Sequence, residues 1–262
     1  MARRRGKKNN DLMGKVIIAI LLLLVLFGIF LVINTNINEP KIDKKTLCKK
    51  DKIYNKHIIL VDITDKYNYI QINDIKSKVE NIIQNIKKTE QVKVYFLEDK
   101  VDATIKPALI VCNPGKGEDK NYLYNNPTLL KQKWNENFYK PLSQTISKIS
   151  SNKEFKYSPI IELIQLINIL EFKNTKSTNR LTIISDMIQN SKEFSFFKDH
   201  LTFEKTKFAD KYRTNMKNFD VNILLTRRDN LKHLQDKKHL QFWIDYFTKQ
   251  HAVVSNIVRI DG

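Results

Sequence analysis

Glycine and proline are scarce, six of each in 262 residues, so this is not a low-complexity or linker-dominated chain. Cysteine is scarcer still. Cys48 and Cys112 are the two present, with no Cys-x-x-Cys spacing. The five histidines (57, 200, 233, 239 and 251) show no ligand-like spacing either, which excludes a zinc-site reading. Asn113-Pro-Gly-Lys-Gly117 lacks the spacing of a phosphate-binding loop and has no Ser or Thr after the lysine. It reads as a turn. No Gly-x-Ser-x-Gly elbow surrounds Ser158, so an α/β-hydrolase nucleophile is not expected.

Acidic residues are outnumbered, with 46 Lys and Arg against 28 Asp and Glu and a net charge of +18. Residues 36–262 carry 40 basic against 27 acidic side chains, or +13. The basic residues are spread along the chain and no nucleic-acid motif accompanies them. They read as a solvated lysine-rich surface, and nucleic acid is not an expected partner. A binder of anionic polymer or lipid remains an alternative.

One long apolar run is present. Val16–Ile33 is 18 consecutive apolar residues, counting Gly28. With its flanks this is long enough to span hydrocarbon at ~1.5 Å per residue. The exit, Val32-Ile-Asn-Thr-Asn36, is a poor signal-peptidase site, so the expectation is a retained signal anchor. This divides the chain into a basic tail (1–15), a transmembrane anchor (16–34), a polar linker (35–56) and a domain (57–262). The anchor's expected partner is the lipid bilayer. Six basic residues precede the span, and six more (Lys41, Lys44, Lys45, Lys49, Lys50 and Lys52) follow within about 20 residues. The upstream charges are denser and closer. They place the N-terminus in the cytoplasm and the domain outside the cytoplasmic membrane, periplasmic or extracellular, as expected of a bacterial anchored protein. Outside the cytoplasm Cys48 and Cys112 can pair as a disulfide. The alternative is two reduced thiols.

Within 57–262, apolar runs alternate with helical periodicities. Strands are expected at Ile58–Val61, Val92–Leu97, Ala108–Cys112, Leu181–Ser185, Phe219–Thr226 and Ala252–Ile260. Helices are expected over Ile70–Lys88, from Asn126-Pro127 onward with an interruption near Pro141, over Ile160–Leu170, and over Asp236–His251 with Leu240, Trp243, Ile244 and Phe247 on one side. Ser158-Pro159 repeats the cap-plus-proline signal of Asn126-Pro127. Residues 192–217, with Phe194, Phe196, Phe197, Phe203 and Phe208, are expected to be partly helical. The fold class is therefore α/β in three layers, a mostly parallel sheet with helices on both faces.

Two of the strands end in acids. Ile58–Val61 stops at Asp62, Thr64 and Asp65; Leu181–Ile184 stops at Ser185 and Asp186. Open α/β sheets bind ligands at such strand ends. The order of elements over residues 57–260, with Asp62 and Thr64 after the first strand, Ser158 before a buried helix and Asp186 after the fourth, resembles a von Willebrand factor A-type domain of the integrin-inserted kind. That resemblance implies a divalent ion, usually Mg2+, held by Asp62, Thr64, Ser158 and Asp186, with a carboxylate of a partner protein completing the shell. It implies a non-enzymatic adhesion or scaffold domain. Lys66 stands where the family carries a second serine. It either turns inward to pair with Asp62 and Asp186 in place of the ion, or points outward and leaves Asp65 to supply the missing oxygen. Without a metal, the two acids would serve as caps of neighbouring helices. A membrane-tethered phosphohydrolase using Asp62 as nucleophile is the enzymatic alternative. It lacks the second acid that haloacid-dehalogenase-type phosphatases place two residues on, where this chain has Thr64.

Overall fold

The computed structural model describes residues 5–38, 41–50, 52, 54–88, 90–117, 126–150, 154–172, 178–198 and 208–261. The described residues divide into two units, 1–42 with 49–51, and 43–48 with 52–262. The first unit is built on one helix, α1 (Arg5–Asn38), of which Met13–Leu31 is long and apolar enough to cross a membrane. Its Val, Ile, Leu and Phe side chains from Val16 to Leu31 are exposed. Lipid is the medium that satisfies such a surface, and the helix satisfies its own backbone groups there.

The second unit is built outward from β1 (Lys56–Asp62). Ile58 and Leu60 point into one core, Ile59 and Val61 into another, and all four are essentially inaccessible. This is why the run is continuous rather than alternating: both faces of the strand are covered. β1 pairs in parallel with β2 (Gln91–Leu97) and β4 (Asn179–Ser185). β5 (Phe219–Thr226) and β6 (Val253–Ile260) continue the parallel sheet, while β3 (Leu109–Cys112) adds an antiparallel edge beside β2. The strand order is β3-β2-β1-β4-β5-β6.

Helices cover both faces. α2 (Tyr69–Gln84) lays Ile75, Val79 and Ile83 on the Ile59/Val61 face. It starts with a reciprocal capping box between Asn68 and Gln71. α3 (Pro127–Trp134) and α4 (Lys140–Ile146) add Trp134, Leu142 and Ile146 to the same core. The interruption expected at Pro141 lies one turn earlier, where residues 135–139 widen into a π-helical turn and the Lys140 N–H reaches back to Asn135 O. Proline removes a donor and crowds the carbonyl four residues before it, and the wider turn relieves that crowding. On the opposite face lie α5 (Ile160–Glu171) and α7 (Lys237–Lys249), with the short α6 (Phe208–Lys211) between them in sequence.

Three local expectations are corrected. Ile244 is partly exposed; the buried stripe of α7 is His239, Phe242, Trp243, Tyr246 and Phe247. Helix within 192–217 is confined, among the described residues, to α6. Phe194 and Phe196 instead enter the core and pack on Phe242, with ring centroids 5.4 and 4.8 Å away; Phe203 lies outside the described residues. The segment assigned to the linker is also partly built into the domain. Residues 43–48 form a turn closed by Asp43 N–H to Cys48 O at 2.8 Å, and the Cys112 N–H donates to Thr46 O at 2.8 Å.

Cys48 and Cys112 are joined by a disulfide that closes a 64-residue separation. Closing a loop of that size removes about 4 kcal/mol of chain entropy from the unfolded state, with typical measured values of ~2–4 kcal/mol. A Cys48→Ser/Cys112→Ser chain should therefore keep its far-ultraviolet circular dichroism and lose about that much stability in urea unfolding.

His57, at the opposite end of β1 from Asp62, is buried, with Nε2 2.9 Å from Thr182 Oγ1 and Nδ1 without a partner. Burial, helped by the Arg180 charge, lowers its pKa from 6.5 to about 3. The folded protein keeps the ring neutral where the unfolded chain protonates it. Its contribution is therefore complete above pH 6.5 and declines as pH falls toward 3, by about 2 kcal/mol at pH 5. A His57→Gln variant should lose less stability than wild type between pH 7 and 5 by that amount; parallel pH dependences in urea unfolding would contradict it.

Candidate functional site

β1 and β4 are neighbours, so the acids that end them share one crevice at the carboxyl edge of the sheet. Asp62 is buried and accepts four hydrogen bonds. Its Oδ1 takes the Thr64 N–H at 2.9 Å and the Thr64 hydroxyl at 2.7 Å. Its Oδ2 takes the Ser185 hydroxyl at 2.7 Å and the Ser158 hydroxyl at 3.2 Å. That uses the four lone-pair directions of a carboxylate. The Tyr67 hydroxyl donates to Asp62 O at 2.8 Å, and Phe155 N–H to Thr64 O at 2.9 Å, fixing the loop after β1.

Ser158 does not cap α5 as its position before Pro159 suggests. Its hydroxyl turns to Asp62, and the free Ile161 N–H of the helix is taken by Gln189 Oε1 at 3.0 Å. Ser158 is held by paired backbone bonds with Asn190, 2.8 and 3.0 Å long. The structure thus brings Asp62, Thr64, Ser158 and Asp186 together, and adds Ser185.

Asp186 is equally buried but partnered differently. One oxygen accepts the Ile188 N–H at 2.9 Å; the other accepts Arg228 Nε at 3.1 Å. Burial first, then the neighbouring Asp62 charge, push its pKa up, with Arg228 opposing them. Arg228 is the residue that sequence reasoning missed. Its guanidinium also donates to Lys66 O, lies 5.0 Å from the Tyr67 ring centroid and 3.6 Å from Asp65. Its backbone is fixed by Gln235. The Arg228 N–H donates to Gln235 Oε1 at 2.8 Å, while the Gln235 amide donates to Asp186 O and Thr226 O at 3.0 and 2.8 Å.

Lys66 takes the second of its two possible positions. It points outward to Glu154 at 3.0 Å, both side chains being more than half exposed. Asp65 faces Arg228 from the rim, and burial raises its pKa against the pull of that cation.

The donor set does not fit a divalent ion as it stands. A hydroxyl that donates still has lone pairs, so the contacts to Asp62 alone leave coordination open. Arg228 is the obstacle. Its Nε already takes one Asp186 oxygen at 3.1 Å, and its positive charge opposes the pull of the two carboxylates on any further cation. Nor does Asp62 present itself as a phosphoryl nucleophile, being 2% exposed with both oxygens engaged.

The strand order, the single antiparallel edge and the helices on both faces make an α/β fold like that of von Willebrand factor A-type domains, preceded in sequence by a helix long and apolar enough to cross a membrane. Among solved structures the chain is similar to the conserved hypothetical protein BatB from Bacteroides thetaiotaomicron, with 12% identity over 79% of this chain and 91% of that one and a TM-score of 0.40. It is similar to an aerotolerance-related membrane protein from Bacteroides fragilis NCTC 9343, with 10% identity, coverage of 79% and 92% and a TM-score of 0.39. A von Willebrand factor type A protein from Catenulispora acidiphila shares 9% identity over 76% of this chain and 42% of its own, with a TM-score of 0.35. No family model and no curated protein sequence matches the chain.

The two serines on Asp62 differ in expected weight. Ser185 donates at 2.7 Å and also accepts the Met187 N–H at 2.8 Å, whereas Ser158 makes the longer contact alone. Ser185→Ala should cost about 2 kcal/mol in urea unfolding and Ser158→Ala about 1 kcal/mol. The reverse ranking would show that Asp62 is held chiefly from the α5 side.

Proposed function

We propose that this chain is a membrane-anchored, non-enzymatic protein-interaction domain of the adhesion or scaffold kind, and that it engages a protein partner at the rim of the Asp62/Asp186 crevice. The observation that carries this reading is the rim itself. The buried network pins the loop after β1, which carries Asp65 and leads into the first turn of α2, where Tyr69 and Ile70 stand at the surface. Tyr69 and Ile70 are among the most exposed large apolar side chains of the α/β unit, at 77% and 62%. Exposed apolar groups beside charged ones, on a rigid frame, are the usual composition of a protein contact.

The same reading places the N-terminus in the cytoplasm and the domain outside the cytoplasmic membrane. The dense basic cluster before the apolar run supports this orientation, and so does a disulfide, which persists in oxidising compartments.

The test uses the full chain in its own membranes. A photo-crosslinking residue at Tyr69 should yield a discrete heterologous adduct. Tyr69→Ser/Ile70→Ser should reduce co-purification of that protein at least tenfold, since burying one large apolar side chain contributes about 1.5–3 kcal/mol. Unchanged thermal unfolding of the variant controls for folding. Undiminished capture would remove the rim as the contact surface.

A further inference from the structure

We propose that Arg228 is the resident cation of the crevice, so that this domain takes no divalent metal between Asp62 and Asp186. The inference concerns the chain's own charge balance and stands whether or not the rim binds a partner.

Two carboxylates are buried together where β1 and β4 end. Asp62 is satisfied by neutral donors. Asp186 receives one backbone N–H, and its other oxygen has Arg228 as its charged partner. A lone buried carboxylate is costly unless paired, and a guanidinium meets that requirement permanently, since it does not lose its proton in proteins. The arginine is also built in rather than draped over the site. Its side chain is 13% exposed, its nitrogens are divided among Asp186, Lys66 O and Asp65, and its face lies on Tyr67. Gln235, itself buried, fixes the Arg228 backbone and bonds the carbonyl of Asp186, so cation and anion are positioned by one side chain. A metal would have to displace this arrangement, leaving a buried guanidinium without its carboxylate.

The experiment compares thermal unfolding of the full chain in detergent micelles in EDTA with that in millimolar Mg2+ or Mn2+. It uses wild type, Asp186→Asn, Arg228→Ala and Arg228→Ala/Asp186→Asn, alongside Mn2+ binding to wild type read from the free-ion paramagnetic resonance signal. Wild type should bind no Mn2+ and unfold at one temperature in every condition. Arg228→Ala, which orphans Asp186, should unfold roughly 6 °C or more lower in EDTA, and Asp186→Asn in that background should restore at least half of the loss. Stoichiometric Mn2+ binding to wild type that stabilises it by more than about 3 °C and disappears in Asp186→Asn would overturn the proposal. So would a double variant no more stable than Arg228→Ala. If Arg228→Ala does not fold at all, the wild-type Mn2+ measurement decides alone.

Discussion

Negative charge buried at the end of a parallel sheet has to be neutralised locally, and the rest of this domain's carboxyl edge is arranged around that requirement. The two acids meet it by different means. Asp62 is surrounded by three hydroxyls and a backbone amide, and Asp186 by a backbone amide and Arg228. Because those donors come from the loops after β1, β4 and β5 and from the segment before α5, satisfying two carboxylates locks four separate pieces of chain together. The conformation of the exposed rim follows from that lock.

The fold was legible because burial dictates composition so directly in β1. Ile58 through Val61 could be continuous only if both faces were covered, and both are. Capping chemistry was equally direct at Asn126, whose side chain accepts the Leu129 N–H at 3.1 Å. The turn at Asn113–Gly117 was legible from its glycines. Gly115 has φ +83°, and the Asn113 side chain holds both the Gly115 N–H and the Trp134 indole. What periodicity could not give was the aromatic segment after β4. Phe194 and Phe196 are buried by tertiary contact with α7, and nothing in their local spacing distinguishes that from helix.

At the site, Asp62, Thr64, Ser158 and Asp186 were legible because strand ends are where side chains of distant sequence converge. Their roles were less so. Ser158 carries a helix-cap pattern but spends its hydroxyl on Asp62, a choice decided by a partner 96 residues away. Arg228 had a weak signal in the pair Arg227-Arg228 directly after the apolar run of β5. In a chain with 46 Lys and Arg, that signal is submerged. Lys66 drew attention because it is adjacent to the acids in sequence; the cation that reaches them arrives from 42 residues beyond Asp186. Gln235, with no charge and no motif, is visible only through its hydrogen bonds.

The disulfide has a mechanical consequence. The chain runs from the membrane-spanning helix through Cys48 before it enters β1 at Lys56, and Cys48 is covalently joined to Cys112 at the end of β3. A pull on the chain ahead of Cys48 would therefore reach the antiparallel edge of the sheet through the sulfur–sulfur bond as well as β1 through the backbone. β1, which holds both cores and the first acid of the crevice, then shares that load with the edge strand instead of bearing it alone.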